Sequence, residues 1–492
     1  MISLEIQNNQ SFEIGTIPFQ NNSDFTDSVK AELSSGNRMI GLFPIDKNMP
    51  EKIVALFADF DSSLIHIIGG EFNVRHLELE SFANEYPQTN LFECELSENH
   101  GYTIFNHPWI RPVRKQNIIL GDKPYQFYSL KGEEVHEVAV GPIHAGIIEP
   151  GHFRFQCHGE MIYNLEINLG YQHRGIEDLI LRSNSGQRII LSESIAGDTV
   201  IGHVNAHCNA VESLSGTQIS LRAQVIRSIA EEIERIAMHL SGLSGIANDI
   251  GFSLVSSSYG RLRTLAINSL ALLCGSRFGR GLIIYGGVRF DFNNELRKEI
   301  ETNLDVIQND VTAINNYLFS STGALTRFEN TGTISNDLAW QIGLVGMAAR
   351  SCGIVNDARI QYPYGAYRYA PISLLTLQQG DVFARTRLRA MEIDESLRFI
   401  FDELENLPDG EIMTVVNNCG SGKGIVSIVE GWRGEIVHVM ITGENGNLVQ
   451  YKIKDPSFNN WYGLNLALRE TAISDFPLCN KSFDLSYAGH DL

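Results

Sequence analysis

Between residues 226 and 243 apolar side chains recur at steps of three and four, at Ile226, Ile229, Ile233, Ile236, Leu240 and Leu243. A comparable stripe returns at Val382, Leu388, Met391, Leu397, Ile400, Phe401 and Leu404. That spacing lines side chains along one face of a helix, and a face so apolar is stable only when covered. Each stripe therefore predicts a long helix lying in a core. The flanks keep a different period. Residues 1–115 alternate short β-rich runs such as Lys52-Ile-Val-Ala-Leu-Phe57 and Leu64-Ile-His-Ile-Ile68 with turn signals. A β-hairpin is expected from Gly151–Cys157, a turn at His158-Gly159, and Met161–Leu169, and the last 90 or so residues return to strands. The chain carries no internal repeat, low-complexity tract or heptad pattern. The expected class is α+β: a small N-terminal α/β domain over 1–120, a polar connector over 121–140 centred on Gly121-Asp-Lys-Pro124, and a mainly helical domain over 141–492 with peripheral β-hairpins.

Composition narrows the partners. Lys plus Arg number 38 against 58 Asp plus Glu, a net charge of −20, which argues against nucleic acid or anionic lipid as direct ligands. No apolar run reaches the roughly 18–20 residues that span a bilayer, and Met1-Ile-Ser-Leu-Glu-Ile6 shows no basic segment followed by an apolar one. A cytoplasmic protein is expected. The seven cysteines are scattered, with no Cys-x-x-Cys pair, and read as reduced, mostly buried thiols. Clusters of iron and sulfur need grouped thiolates, so none is expected on this chain alone. Gly420-Ser-Gly-Lys-Gly424 lacks the spacing of a phosphate loop and reads as a turn, and no Gly-x-Gly-x-x-Gly follows a strand, which argues against a nicotinamide site. His203 and His207 lie one helical turn apart, yet no further zinc ligands stand nearby, and a packed helix face is the better reading.

Four stretches carry the chemistry. The first runs Gly141-Pro-Ile-His144 to His152-Phe-Arg154, and the second is Gly170-Tyr-Gln-His-Arg-Gly-Ile-Glu177. The third is Glu193-Ser-Ile-Ala-Gly-Asp-Thr-Val-Ile-Gly-His203, and the fourth Asp484-Leu-Ser-Tyr-Ala-Gly-His490. Together they resemble the large subunit of the energy-converting (group 4) nickel-iron hydrogenases and the 49-kDa subunit of respiratory complex I. Gly353–Arg359, Pro363–Tyr367, Gly380–Arg385 with Arg389 and Glu392, and Glu430-Gly-Trp-Arg-Gly-Glu435 follow the same order. Around Glu93, Glu95, His107 and Pro108 the chain is similar to the 30-kDa subunit of complex I, as though fused at the N-terminus. In the hydrogenase pattern the third and fourth stretches hold four cysteines that grip nickel and iron. Here those positions are Ala196, Thr199, Ser486 and Gly489, none of which supplies a thiolate.

The resemblance implies a hydrogenase-related subunit without the metal-binding cysteines. In that reading it is peripheral on the cytoplasmic side of the inner membrane, packed against a small iron-sulfur subunit and antiporter-like membrane subunits. It further implies electron delivery to an organic acceptor such as a quinone. Glu177 would move protons, Arg385 or Arg433 would stabilise charge, and His144, His152, His173 and Asp357 are candidates to contact the acceptor. The tyrosine that meets the quinone in complex I falls on Gly197, leaving Tyr171, Tyr364 or Tyr367 as substitutes. Glu177 also has a plain alternative, an ion pair with Arg174 or Arg182. A second functional reading is a catalytically silent scaffold that transmits conformational change to the membrane arm. A third, hydrogenase with replaced ligands, conflicts with the donor set.

Overall fold

A computed structural model describes residues 3–115, 119–120, 123–144 and 148–492. Residues 121–122, central to the expected connector, and 145–147, inside the Gly141–Arg154 stretch, lie outside the described residues. The N-terminal part contributes β1 (Leu4–Ile6), β2 (Phe12–Glu13), β3 (Phe19–Gln20), β4 (Arg38–Pro44), β5 (Lys52–Asp59) and β6 (Leu64–Glu71). All but β2 form one sheet in the order β1-β6-β5-β4, with β3 parallel to β6. The continuous apolar run of β5 has a physical reason: both of its faces are covered. Ile53, Ala55 and Phe57 pack against helices α1 (Asn22–Ser34) and α2 (Asn90–His100), through Phe25, Val29, Phe92 and Leu96. Their neighbours Val54, Leu56 and Ala58 point the other way, into a core shared with Val426, Ile428, Val437, Val439 and Ile441 from the far end of the chain.

Next come β7 (Val135–Val140), β8 (His152–His158) and β9 (Met161–Asn168), an antiparallel sheet in that order. The hairpin β8–β9 is the expected one. The connector is corrected at its end, because residues 135–140 pair along β8, with Val138 opposite Phe155 and Val140 opposite Phe153. β7 is an edge strand with exposed His136, Glu137 and Ala139, and that half-polar composition reads as a linker.

The helices α3 (Ile176–Arg182), α4 (Ser185–Ser192), α5 (Val200–Leu214), α6 (Leu221–Asp249), α7 (Ser253–Cys274), α8 (Asn294–Ser320) and α9 (Val382–Glu405) follow. Both predicted stripes are helices. All six apolar residues of the first are fully buried in α6; in α9, Val382, Leu388, Leu397, Ile400 and Leu404 are buried and Met391 and Phe401 half-buried. Each burial contributes about 1.5–3 kcal/mol. Side-chain caps set where the two helices begin: Ser220 accepts from Ala223 N, and Asp381 from Ala384 N.

The chain then forms β10 (Lys423–Gly431), β11 (Gly434–Thr442) and β12 (Leu448–Lys454), with β11 central and β2 paired to the edge of β10. One face of this sheet meets the N-terminal sheet. Through Ile425, Met440, Tyr451 and Ile453 the other face meets α3 and α5. The class is α+β as expected, but these strands are interior, not peripheral: two sheets lie back to back between helical layers. Helices α10 (Pro456–Ala467), α11 (Phe476–Phe483) and α12 (Tyr487–Asp491) follow the last strand. Six of the seven thiols are buried and all are unpaired.

Ions bind the helical core to the sheet. Arg350 donates to Glu392 at 2.6 Å and to Glu430 at 2.8 Å. Glu392 also meets His239 at 2.7 Å, Arg359 joins Asp357 to Glu232, and Glu232 meets Arg235, all with side chains at most 4% exposed. Removing one member of such a cluster strands its partners in low dielectric. Arg350→Met should therefore cost about 3–5 kcal/mol in urea unfolding of the chain. Lys30→Ala, which breaks a surface pair with Glu85, should cost under about 1 kcal/mol.

Candidate functional site

The hairpin between β10 and β11 turns on two residues, Trp432 and Arg433. Its tip is pressed against the backbone at Gly346, where a Cβ would come within 2.1 Å of the Gly434 Cα. This close approach delivers Arg433 between the third and fourth stretches. Its guanidinium forks onto Asp198, at 2.7 Å to each carboxylate oxygen, and reaches the Thr199 hydroxyl at 3.2 Å. Through Nε it donates to the Asp484 carbonyl. Trp432 lies under the guanidinium at 3.9 Å and donates its indole N–H to the Asp198 carbonyl. Burial opposes the charge on Arg433, yet the Asp198 carboxylate more than offsets it and holds its pKa above the usual value.

A second arginine crosses the same gap. Arg174 donates to the carbonyls of Ser194 and Ile195 at 2.5 and 2.8 Å, and to that of Ala488 at 3.2 Å. The two stretches are thus stitched by guanidinium groups at both ends. Between them lies Asp455, the N-cap of α10, which accepts from Ser457 N at 2.8 Å and meets His203 Nε2 at 3.1 Å. Burial works to raise its pKa, but the His203 hydrogen bond, with the charges of His203 and Arg433, keeps the carboxyl below its usual range. Gly489 faces it. A Cβ there would stand 2.6 Å from the Asp455 carboxylate, so the carboxylate fills the space a side chain at 489 would need. Ser486 caps α12, accepting from Gly489 N at 2.9 Å, and Ala196 and Thr199 are buried.

The residues expected at a common site are distributed over five places. Arg433 is in the clamp just described. Arg385 is fully buried and spends its donors on Ser482 Oγ, Gly380 O and Gly332 O, with its guanidinium 4.2 Å from the Phe483 ring. Asp357 caps the short helix Ala358–Gln361 and lies in the ionic cluster with Arg359 and Arg350. Tyr364 and Tyr367 donate to Glu231 and Glu232 of α6, while Tyr171 is exposed. His144 and His152 tie the ends of their loop together, donating to Gly151 O at 2.9 Å and Gly141 O at 3.3 Å.

Glu177 pairs with neither Arg174 nor Arg182. It meets Lys452 at 3.1 Å and accepts from Ile453 N at 2.9 Å. With His173 it lines a cleft of about 290 Å³ under the N-terminal sheet, among Lys47, Glu95, Arg114 and Lys452. His173 donates to the Asp491 carbonyl at 2.7 Å. Among the described residues no group of three or more His, Cys, Asp or Glu is arranged to hold a metal ion. Sequence reasoning missed Asp198, Asp455, Arg174 and His438 as members of this region. Asp198 lies inside the third stretch, and Asp455-Pro-Ser457 is a helix-start signal, but no pattern marks His438.

Gly489→Ala should cost about 1–3 kcal/mol in chemical denaturation, since the buried Asp455 has to shift. Gly197→Ala, in the opposite stretch with nothing within 4 Å of the new methyl, should stay within about 0.5 kcal/mol.

Residues 249–421 match the family model described as respiratory-chain NADH dehydrogenase, 49 Kd subunit. Hydrogenase-4 component G of Escherichia coli (strain K12) is 31% identical over 75% of this chain and 63% of its own length. The chain thus spans a little under two thirds of that relative. Formate hydrogenlyase subunit 5 of the same organism is 29% identical over 77% of this chain and 68% of its own. The C/D fusion protein of the NADH-quinone oxidoreductase of Bacteroides thetaiotaomicron is 28% identical over 73% of this chain and 74% of its own. The four stretches stand in order along the fold, and over about three quarters of its length the chain is similar both to these hydrogenase subunits and to the complex I-type C/D subunit, with the 49-kDa family model matching its middle third.

Proposed function

We propose that this chain is a peripheral subunit of a membrane-bound, complex I-like oxidoreductase, that it holds no nickel-iron centre, and that it couples redox chemistry in its partners to a membrane arm. The partners are a small iron-sulfur subunit and antiporter-like membrane subunits, and the chain lies on the cytoplasmic side of the inner membrane. No helix among the described residues is long and apolar enough to cross a membrane, so attachment runs through those partners.

One observation carries the reading: the two stretches that frame the metal in the hydrogenase pattern are joined by Arg433 and Arg174, with Asp455 filling the space beside Gly489. The donor set does not fit nickel and iron, which require soft thiolates. Ala196 and Gly489 have no donor atom, and the Thr199 and Ser486 hydroxyls are poor ligands engaged by Arg433 and by Gly489 N. What remains is a charged clamp between two helix ends and a hairpin tip, which suits mechanical coupling. A second reading, electron delivery to a quinone, is favoured by the cleft that His173 and Glu177 line. No cofactor is assigned to this chain alone.

Metal analysis of the purified complex should find nickel far below one per chain; stoichiometric nickel sinks the proposal. Glu177→Gln and Arg433→Lys separate the two readings. Under coupling, both variants reduce acceptor at the wild-type rate while Arg433→Lys, which loses the bidentate fork, lowers ion movement per electron. A fall in acceptor reduction of roughly a hundredfold in Glu177→Gln instead establishes the electron-delivery reading.

A further inference from the structure

From Asp455 a chain of hydrogen bonds runs out to the surface. Asp455 Oδ2 meets His203 Nε2 at 3.1 Å, and His203 Nδ1 meets His438 Nε2 at 3.1 Å. His438 Nδ1 meets the Tyr451 hydroxyl at 2.7 Å, and the same hydroxyl meets His207 Nδ1 at 2.7 Å. His207 Nε2 meets the hydroxyl of half-buried Tyr285 at 2.7 Å, which bonds the carbonyl of exposed Ser185 at 3.1 Å. All six ring nitrogens of three imidazoles are used in this one line. His203, His207, His438 and Tyr451 are fully buried.

A histidine that merely fills a core is satisfied by backbone carbonyls, which accept a proton's hydrogen bond but do not pass the proton on. Here every interior partner is an imidazole, a phenol or a carboxyl, each able to take a proton on one side and give one on the other. We infer that Asp455, His203, His438, Tyr451, His207 and Tyr285 form a proton relay between the Asp455–Arg433 region and solvent at Tyr285.

The proton count supports this. Burial pushes the pKa of His207 down to about 3 and that of His438 well below its usual value, so both rings are neutral, with one donor and one acceptor each. Only two orderings of the line then exist. In the first, every bond points outward: Tyr285 donates to Ser185, His207 to Tyr285, Tyr451 to His207, His438 to Tyr451, His203 to His438, and one further proton is shared between Asp455 and His203. In the second, Tyr285 turns its hydroxyl from the Ser185 carbonyl to His207, and every bond from there points inward, ending on ionised Asp455 accepting from His203. The two differ by one proton. Passing from the first to the second releases the Tyr285 hydroxyl proton to water, moves a proton outward across each bond in turn from Tyr285–His207 to His203–Asp455, and leaves one negative charge on Asp455; no electron moves and the Ser185 carbonyl carries no proton. The reverse sequence takes a proton up.

This inference does not rest on the coupling reading, because its test needs neither partner nor electron donor. In the full chain labelled with ¹⁵N-histidine, exchange of the ring N–H protons with solvent is followed for His203, His438 and His207, below the temperature at which global opening sets the rate. Tyr451→Phe removes one oxygen at the middle of the line. It should slow exchange at His203 and His438 by roughly a hundredfold, the lower end of what a positioned proton carrier contributes, and leave His207 as in the wild type. Tyr285→Phe, at the half-buried outer end, should slow all three. If Tyr451→Phe does not fold, Tyr285→Phe decides alone. Wild-type exchange at His203 and His438 in either folded variant overturns the relay.

Discussion

A guanidinium taken out of water has to meet a carboxylate or a set of carbonyls, and in this chain that requirement fixes how the layers fit. Arg227, Arg235, Arg350, Arg359 and Arg433 pair with carboxylates. Arg385 and Arg389 spend donors on backbone carbonyls, gripping the chain at Gly332, Gly380, Ser482 and Phe483. Hydrophobic burial supplies most of the stability, but it is non-directional. Ion pairs of this kind are directional. They set α6 against α9 through Glu232, Glu392 and their arginines, and they seat the hairpin tip between the two stretches.

The same constraint explains how the third and fourth stretches are held together with no thiolate at Ala196, Thr199, Ser486 or Gly489. A bound metal is a cation that several segments share. An arginine side chain is a cation that the chain itself carries, and its planar fork satisfies two segments at once. Arg433 joins Asp198 to Asp484, and Arg174 joins Ser194 and Ile195 to Ala488. The cost is specificity: a fork of this geometry tolerates neither lysine nor a displaced partner.

Much of the fold is legible in the sequence because it depends on period. The stripes of α6 and α9 follow from steps of three and four, and the two-faced burial of β5 follows from an apolar run of strand length. Where one face is wet the signal weakens, and the edge strand β7 reads as a linker. The interior position of β10–β12 depends on partners some 400 residues away and has no local mark. In the site, the sequence motifs locate Arg433, Thr199, Ser486 and Gly489, but not what each touches. Asp198 and Arg433 are 235 positions apart in sequence, and Glu177 takes Lys452 in place of the nearby arginines. Ion pairs between distant segments leave no periodic trace.

The pairing of β2 with β10, and the core that β5 shares with β10 and β11, have a kinetic consequence. A ribosome adds about 5–20 residues per second, so some tens of seconds separate the synthesis of Val54 and Leu56 from that of Val426 and Ile428. Throughout that interval the face of the nascent first sheet that carries Val54, Leu56 and Ala58 lacks the strands that cover it in the folded chain.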